Sequence, residues 1–251
     1  MDTSEIALDC WAAWAPGLES HEDWLLWARG EKLPQQDGAP AVGFFPAAHR
    51  RRLSRLGKMA VYVAHQCGAP ASQSHRLVFA SRYGEQHRTA RILDDITRGE
   101  PVSPTAFSLS VHNAVAGLYS MVSGNQAPTT SLSAGENTFA AGWIEAVGLL
   151  GSPGDDCEAV TLVYYEEPLP PDYQEFQSEA LFPMALALNM RHASHNDTEA
   201  YSLCMADQES TTGISPPWQP LAFIRLMLNQ NQQTEGTGSG SRWIWKRNEK
   251  L

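Results

Sequence analysis

The chain has 251 residues, of which 43% are hydrophobic, and its 28 acidic residues outnumber 18 basic ones for a formal charge of −10. That hydrophobic content supports a real core and excludes wholesale disorder. The acidic balance excludes general nucleic-acid binding, which needs a basic surface.

The length fits one large α/β domain or two small ones. No stretch approaches the roughly 18 uninterrupted apolar residues of a membrane span. The opening Met1-Asp2-Thr3-Ser4-Glu5 carries neither the basic nor the apolar region of a secretory leader, so a cytoplasmic location is expected. Cys10, Cys67, Cys157 and Cys204 fall into no ligand spacing and read as free thiols. The eight histidines are scattered, so neither a metal site nor a cofactor is expected.

The first forty residues hold Trp11, Trp14, Trp24 and Trp27 among prolines. Tryptophans this dense in a polar segment predict a loop anchored onto a body, with a short helix over Glu22–Arg29. From Arg50 the pattern sharpens. Leu53, Leu56, Met59, Ala60, Val63 and Ala64 recur at spacings of three and four, an amphipathic helix closed by Gly68 and Pro70. Leu77–Ala80 reads as a buried strand, and a helix follows over Glu85–Arg98 with Gly99 as its stop. Ser110–Ser123 predicts a third helix, apolar on more than one side and therefore buried.

Thr129–Ser133 reads as a short strand. It runs through the turn Ala134-Gly135-Glu136 into a helix over Asn137–Leu150, which is small and apolar almost all round. Such a helix sits inside a protein or at a tight interface. Ala159–Tyr165 is a strongly apolar strand, and Pro168, Pro170 and Pro171 then break the chain. Strands over Ala185–Met190 and Tyr201–Met205 and a helix over Gln219–Leu228 complete the pattern. The run Gly236-Thr237-Gly238-Ser239-Gly240-Ser241 predicts a flexible loop. Its glycines do not link a strand to a helix, which rejects a dinucleotide site. Arg242-Trp243-Ile244-Trp245-Lys246 alternates like a last edge strand.

Four stretches in this order resemble the N-terminal half of a β-ketoacyl synthase, in the thiolase-like superfamily. Arg51-Arg52-Leu53-Ser54-Arg55-Leu56-Gly57-Lys58-Met59-Ala60 resembles the Arg-rich helix that opens a condensing enzyme's core. Phe79-Ala80-Ser81-Arg82-Tyr83-Gly84-Glu85 resembles the strand and Gly turn after it. Pro104 to Gly117, with Asn113, Ala116 and Gly117, is similar to the synthase helix at the dimer contact. Thr130-Ser131-Leu132-Ser133-Ala134-Gly135-Glu136 resembles the strand and elbow that present the nucleophile. The match covers about residues 50–165. The Trp-rich entry, the Tyr164-Tyr165-Glu166-Glu167-Pro168 exit and the Trp-x-Trp tail resemble the short synthase-like proteins of fatty-acid, polyketide and aryl-polyene-type biosynthesis.

The resemblance implies an α/β fold: a single thiolase-like half-fold, a mixed sheet of about five strands with helices on both faces. It divides the chain into a Trp/Pro-rich segment (1–49), a synthase-like core (50–167) and a C-terminal extension completing the same domain (168–251). The apolar Asn137–Leu150 helix, which packs on the other half in a complete synthase, needs a cover. Either the segment after Pro168 or a second chain supplies it.

Two departures bear on chemistry. The alignment places Glu136 where condensing enzymes carry a Cys, whose thiolate is stabilised by a helix N-terminus and takes the acyl chain. A carboxylate cannot form that thioester. The family's two catalytic histidines lie in His-Gly-Thr-Gly-Thr-like and Asn-Ser-Phe-Gly-like motifs, and neither is present; His192 and His195 have other flanks. No condensing activity is therefore expected.

The resemblance then implies a non-catalytic accessory protein, a pseudoenzyme that binds an acyl carrier protein or a partner ketosynthase, as a homodimer or heterodimer. The alternative is an acyl-thioester decarboxylase or hydrolase using Glu136, since synthase-like partners that lost the Cys often carry Gln there. Glu136 equally reads as a charge complement at a helix start. Arg50, Arg51, Arg52, Arg55 and Lys58, which Arg82, Arg88 and Arg91 extend, read either as a solvated face or as a docking site for an acidic carrier. Asn113 is expected to be a buried hydrogen-bonding group, and Asn113, Ala116, Gly117 and Gly135 to be structural or interfacial.

Overall fold

A computed structural model of the protein describes residues 4–68, 75–151, 157–177, 182–206, 218–229, 231–238 and 241–249. Pro70, Ser239 and Gly240, to which the sequence assigns a helix stop and a loop, lie outside them.

The chain runs β1 (Ile6–Trp14), α1 (His21–Ala28), α2 (Ala47–Arg50), α3 (Arg55–Gln66), β2 (Arg76–Ala80), α4 (Gln86–Thr97), α5 (Pro104–Ser108), α6 (Ala114–Ser123), β3 (Thr129–Leu132), α7 (Thr138–Leu149) and β4 (Val160–Glu166). It continues through β5 (Met184–His192), β6 (Glu199–Ala206), α8 (Gln219–Leu228), β7 (Gln233–Gly238) and β8 (Ser241–Glu249). One mixed sheet of eight strands has the order β3-β2-β4-β5-β1-β6-β8-β7. Strands β3, β2 and β4 pair in parallel, and the rest of the sheet is antiparallel.

The sheet is the α/β mixed sheet the sequence predicts, with eight strands rather than about five. Six of the eight correspond to strands read from the sequence, and the first of the two others is β1. Its residues pair with β5 along their length, so Trp11 and Trp14 belong to a strand and not to an anchored loop. The alternation is blurred because both faces of β1 are covered. The second is β7, where the sequence predicts a loop. As a consequence β8 is an interior strand between β6 and β7, and the edges are β3 and β7.

Alternate side chains of the central strands feed two cores, as the period of two requires. Val78, Ala80, Leu162, Tyr164, Leu186 and Leu188 face one core with α1, α7 and α8. Leu77, Phe79, Val163, Tyr165, Ala185 and Ala187 face the other with α3 and α6.

Helix α3 starts where Ser54 accepts the Gly57 N–H at 2.9 Å. Arg51 and Arg52 therefore lie in the turn before it rather than on it. The predicted Ser110–Ser123 helix is shorter: it begins at Ala114 after a separate turn of helix, and Gly124 at φ 70° ends it. Nor is it buried all round, since Met121 is 65% exposed. Asn113 is exposed as well, a correction to the buried hydrogen-bonding role.

The cover for α7 comes from the chain itself. Phe139 and Trp143 of α7 meet Phe223 of α8 at ring-centroid distances of 5.7 and 5.2 Å, and Phe139 meets Trp245 of β8 at 5.6 Å. Gly142 allows this helix onto the sheet: a Cβ there would stand 2.8 Å from Leu162 Cδ1.

Candidate functional site

The parallel strands β2, β3 and β4 end together, and carboxyl ends of parallel strands are where α/β sheets bind ligands. Three segments meet there: the Ser81–Gly84 turn after β2, the elbow Ser133–Asn137 after β3, and Glu166 at the end of β4.

Glu166 holds the turn. Its Oε2 accepts the N–H groups of Arg82 at 2.6 Å and Tyr83 at 3.3 Å, and the Ser81 hydroxyl at 3.4 Å. Ser81 Oγ accepts the Gly84 N–H at 2.8 Å, and His112 Nε2 donates to the Ser81 carbonyl at 2.8 Å. Gly84 has φ +57°, and a Cβ there would lie 3.0 Å from the His112 ring. The turn needs glycine on both counts.

Glu166 is fully buried, and its Oε1 has no hydrogen-bond partner among the described residues. Burial pushes its carboxyl up to about 8, against the opposing pull of the Arg82, Tyr83 and Glu167 N–H groups and the Ser81 hydroxyl. The folded state therefore favours the neutral acid. Its stabilising contribution is complete below the ordinary value of 4.5 and is lost as pH rises toward about 8. Melting curves of the wild type and Glu166→Gln should diverge over that window. The wild type should lose up to about 1.4 kcal/mol per pH unit relative to the variant. Parallel curves would show that Glu166 does not titrate with folding.

The elbow is a 3₁₀ turn, Gly135–Asn137, with Gly135 at φ 59°. Glu136 sits on it at the head of α7. The Arg82 guanidinium lies 3.8 Å from Glu136 Oε1 and stacks over the Tyr83 ring at 4.7 Å. Ser133 Oγ donates to the Arg82 carbonyl at 2.9 Å, tying elbow to turn.

The C-terminal segment backs this elbow on one side, while Ser133, Ala134 and Gly135 remain exposed. Trp243 Nε1 of β8 donates to Asn137 Oδ1 at 2.8 Å. Buried Gln219 of α8 accepts the Ala140 N–H at 3.1 Å, so it caps an amide of the first turn of α7. Gly238 of β7 lies against the elbow: a Cβ would stand 1.9 Å from Asn137 Oδ1 and 3.0 Å from the Glu136 carbonyl carbon. At Gly236 it would stand 2.8 Å from Gln219 Cγ and 3.0 Å from Trp245 Cζ3. The alternate glycines read as a flexible loop thus belong to a strand pressed onto the elbow and α8.

The basic cluster is divided. Arg51, Arg52 and Arg55 line a 510 Å³ cavity with His87, Arg88 and Arg91 of α4. Arg55 is paired with Glu167 at 2.7 Å and Arg88 with Glu85 at 3.1 Å. Arg50, at the end of α2, and half-buried Lys58 are not among the lining residues, and Arg82 is drawn to Glu136 instead. On α6, Ala116 is buried while Asn113, Gly117 and Met121 form an exposed stripe. Among the described residues no three His, Cys, Asp or Glu side chains are grouped to hold a metal, and no helix is long and apolar enough to cross a membrane.

Glu166, Gln219, Trp243 and Gly238 escape sequence reasoning. Only Glu166 leaves a local signal, a carboxylate closing an apolar strand run.

Comparison with known proteins fits this geometry. A family model described as the beta-ketoacyl synthase N-terminal domain matches residues 24–246. No curated protein matches the chain. Among solved structures, the complex of the ketosynthase ApeO with its chain length factor ApeC from Xenorhabdus doucetiae is similar at TM-score 0.80 and 26% identity. The match covers 96% of this chain and 99% of that chain. A beta-ketoacyl synthase from Burkholderia phymatum matches at TM-score 0.57 and 12% identity, over 91% of this chain and 71% of that one. The ishigamide ketosynthase/chain length factor matches at TM-score 0.52 and 10% identity, over 92% and 72%.

Proposed function

Because the chain belongs to the β-ketoacyl synthase N-terminal-domain family, we propose that it is a non-catalytic subunit that assembles with a catalytic ketosynthase and helps set chain length in aryl-polyene- or polyketide-type biosynthesis. The observation that carries this reading is the elbow, whose helix N-terminus is backed by the C-terminal segment. On the sequence resemblance Glu136 falls at the position of the family's Cys; an arginine lies beside it, and α8, β7 and β8 pack against one side of the α7 N-terminus. A helix N-terminus serves an anion only where its amides are open. Here Gln219 takes one of them.

The similar structures support the partner. The Burkholderia phymatum synthase is covered over 71%, but the chain matched in the ApeO–ApeC complex is covered over 99%. That matched chain is as short as this one, which suits the chain length factor better than the synthase. We read residues 1–49, 50–167 and 168–251 as parts of one domain, with the last in place of a second thiolase-like half.

The partner surface in this reading is the β3 edge. Its four residues are half-exposed, and α6 and α7 flank it on opposite faces. These helices present Asn113, Gly117 and Met121 on one side and Ile144, 52% exposed, on the other. An exposed edge strand with apolar flanks is a template for pairing with another chain. Arg51, Arg52 and Arg55, with Arg50 and Lys58 nearby, are available to an acidic acyl carrier protein.

Co-expression with a candidate ketosynthase from the same genome tests the assembly. Light scattering should give a 1:1 heterodimer. The double variant Met121→Glu/Ile144→Glu should weaken it at least a hundredfold with an unchanged melting temperature. A chain that stays monomeric at all concentrations, with or without the synthase, counts against the reading.

A further inference from the structure

We propose that the 510 Å³ cavity between the start of α3, α4 and α5 binds an organic phosphate monoester. The proposal goes beyond the carrier-docking reading, with which it shares Arg51, Arg52 and Arg55.

The cavity floor is built rather than incidental. Arg55 Nε donates to Glu167 at 2.7 Å, and Arg88 Nε donates to Glu85 at 3.1 Å. Ser54 Oγ also donates to Glu85, at 2.6 Å, and Arg88 Nη2 reaches the Arg52 carbonyl at 3.0 Å. His87 Nε2 donates to the Pro168 carbonyl at 2.8 Å. These bonds lock the start of α3, α4 and the exit of β4 into one wall. Glu85 and Glu167 are themselves buried.

The rim carries the surplus charge. Arg51, Arg52 and Arg91 are exposed around the opening. Five guanidinium groups meet four carboxylates, Asp95 and Glu167 in the lining, Glu85 paired with Arg88, and exposed Asp37 at 3.9 Å from Arg55, which leaves one positive charge uncompensated in a chain of net charge −10. A phosphate monoester carries about −1.5 to −2 at neutral pH and is drawn to that surplus and to the exposed guanidiniums of Arg51, Arg52 and Arg91. Guanidinium forks fit phosphate oxygens in pairs, which a single carboxylate partner does not exhaust. The volume exceeds what a bare phosphate fills and lies within the range of small-molecule sites, about 300–1,000 Å³. Leu53, Ile92 and Ala106 line the same cavity and offer an apolar wall to the organic part.

The full chain is titrated with phenyl phosphate, inorganic phosphate and dimethyl phosphate by calorimetry, at chloride-matched ionic strength. Phenyl phosphate should bind at least tenfold more tightly than inorganic phosphate, and the singly charged diester should not bind measurably. Arg52→Ala/Arg91→Ala should weaken phenyl phosphate at least tenfold with the unliganded melting temperature unchanged, because these two side chains are exposed. No phenyl phosphate binding, or binding retained in the double variant, overturns the site. Equal binding of inorganic and phenyl phosphate overturns the assignment to an organic ester. An acidic acyl carrier protein is titrated in parallel. Carrier binding without phosphate binding removes the phosphate site and leaves the docking reading. Phosphate binding without carrier binding does the reverse.

Discussion

Incubated with malonyl- and acyl-loaded carrier protein, the purified chain should form no β-ketoacyl product above background, and Glu136→Cys should not change that. Condensation needs a thiolate to hold the acyl chain and imidazoles to stabilise the charge that develops as malonyl loses carbon dioxide. The variant restores a thiol but supplies neither histidine motif. It also places that thiol on an elbow backed by Gly238 and by the Trp243–Asn137 hydrogen bond of 2.8 Å. Losing either contribution costs orders of magnitude in rate, and losing both leaves nothing to measure. Mass spectrometry of the carrier reads the result directly. Product from the wild-type chain alone would overturn the non-catalytic reading, and product from the variant alone would show that a thiol at the elbow suffices without the histidine motifs.

Phe223→Ala should be among the most destabilising single changes in the chain, at about 3–5 kcal/mol. Phe223 is fully buried, and its ring lies 5.7 Å from Phe139, 5.2 Å from Trp143, 5.5 Å from Tyr201 and 6.4 Å from Trp245. It is where α7, α8, β6 and β8 meet. Removing the ring leaves a cavity among rigid aromatic neighbours that cannot collapse into it. At about 2–4 °C per kcal/mol for a domain of this size, the melting temperature should fall by about 10 °C. The transition should remain single, because the C-terminal segment shares the core with residues 50–167. A loss below about 1 kcal/mol, or a second transition, would mean that residues 168–251 fold as a separate unit.

The sequence by itself determined every element whose period is clean. The α3 pattern of Leu56, Met59, Ala60, Val63 and Ala64, the apolar run of β4, and α8 at Gln219–Leu228 could be read directly, because a single buried face imposes a single period. So could the elbow, where Gly135 and Glu136 follow a short strand. Tertiary structure alone decided the rest. Strand β1 is covered on both faces, which erases alternation, and its pairing with β5 spans most of the chain. The glycines at 236 and 238 look like flexibility in one dimension. In three they are the only residues small enough for a strand to lie against Gln219, Trp245 and Asn137. Asn113 looks like a buried polar group until α6 is placed beside an edge strand with its outer face open. The arginines form a run in sequence. Whether each meets Glu167, lines the cavity rim or lies apart from it depends on which acidic side chains the fold brings within reach, and no local pattern encodes that.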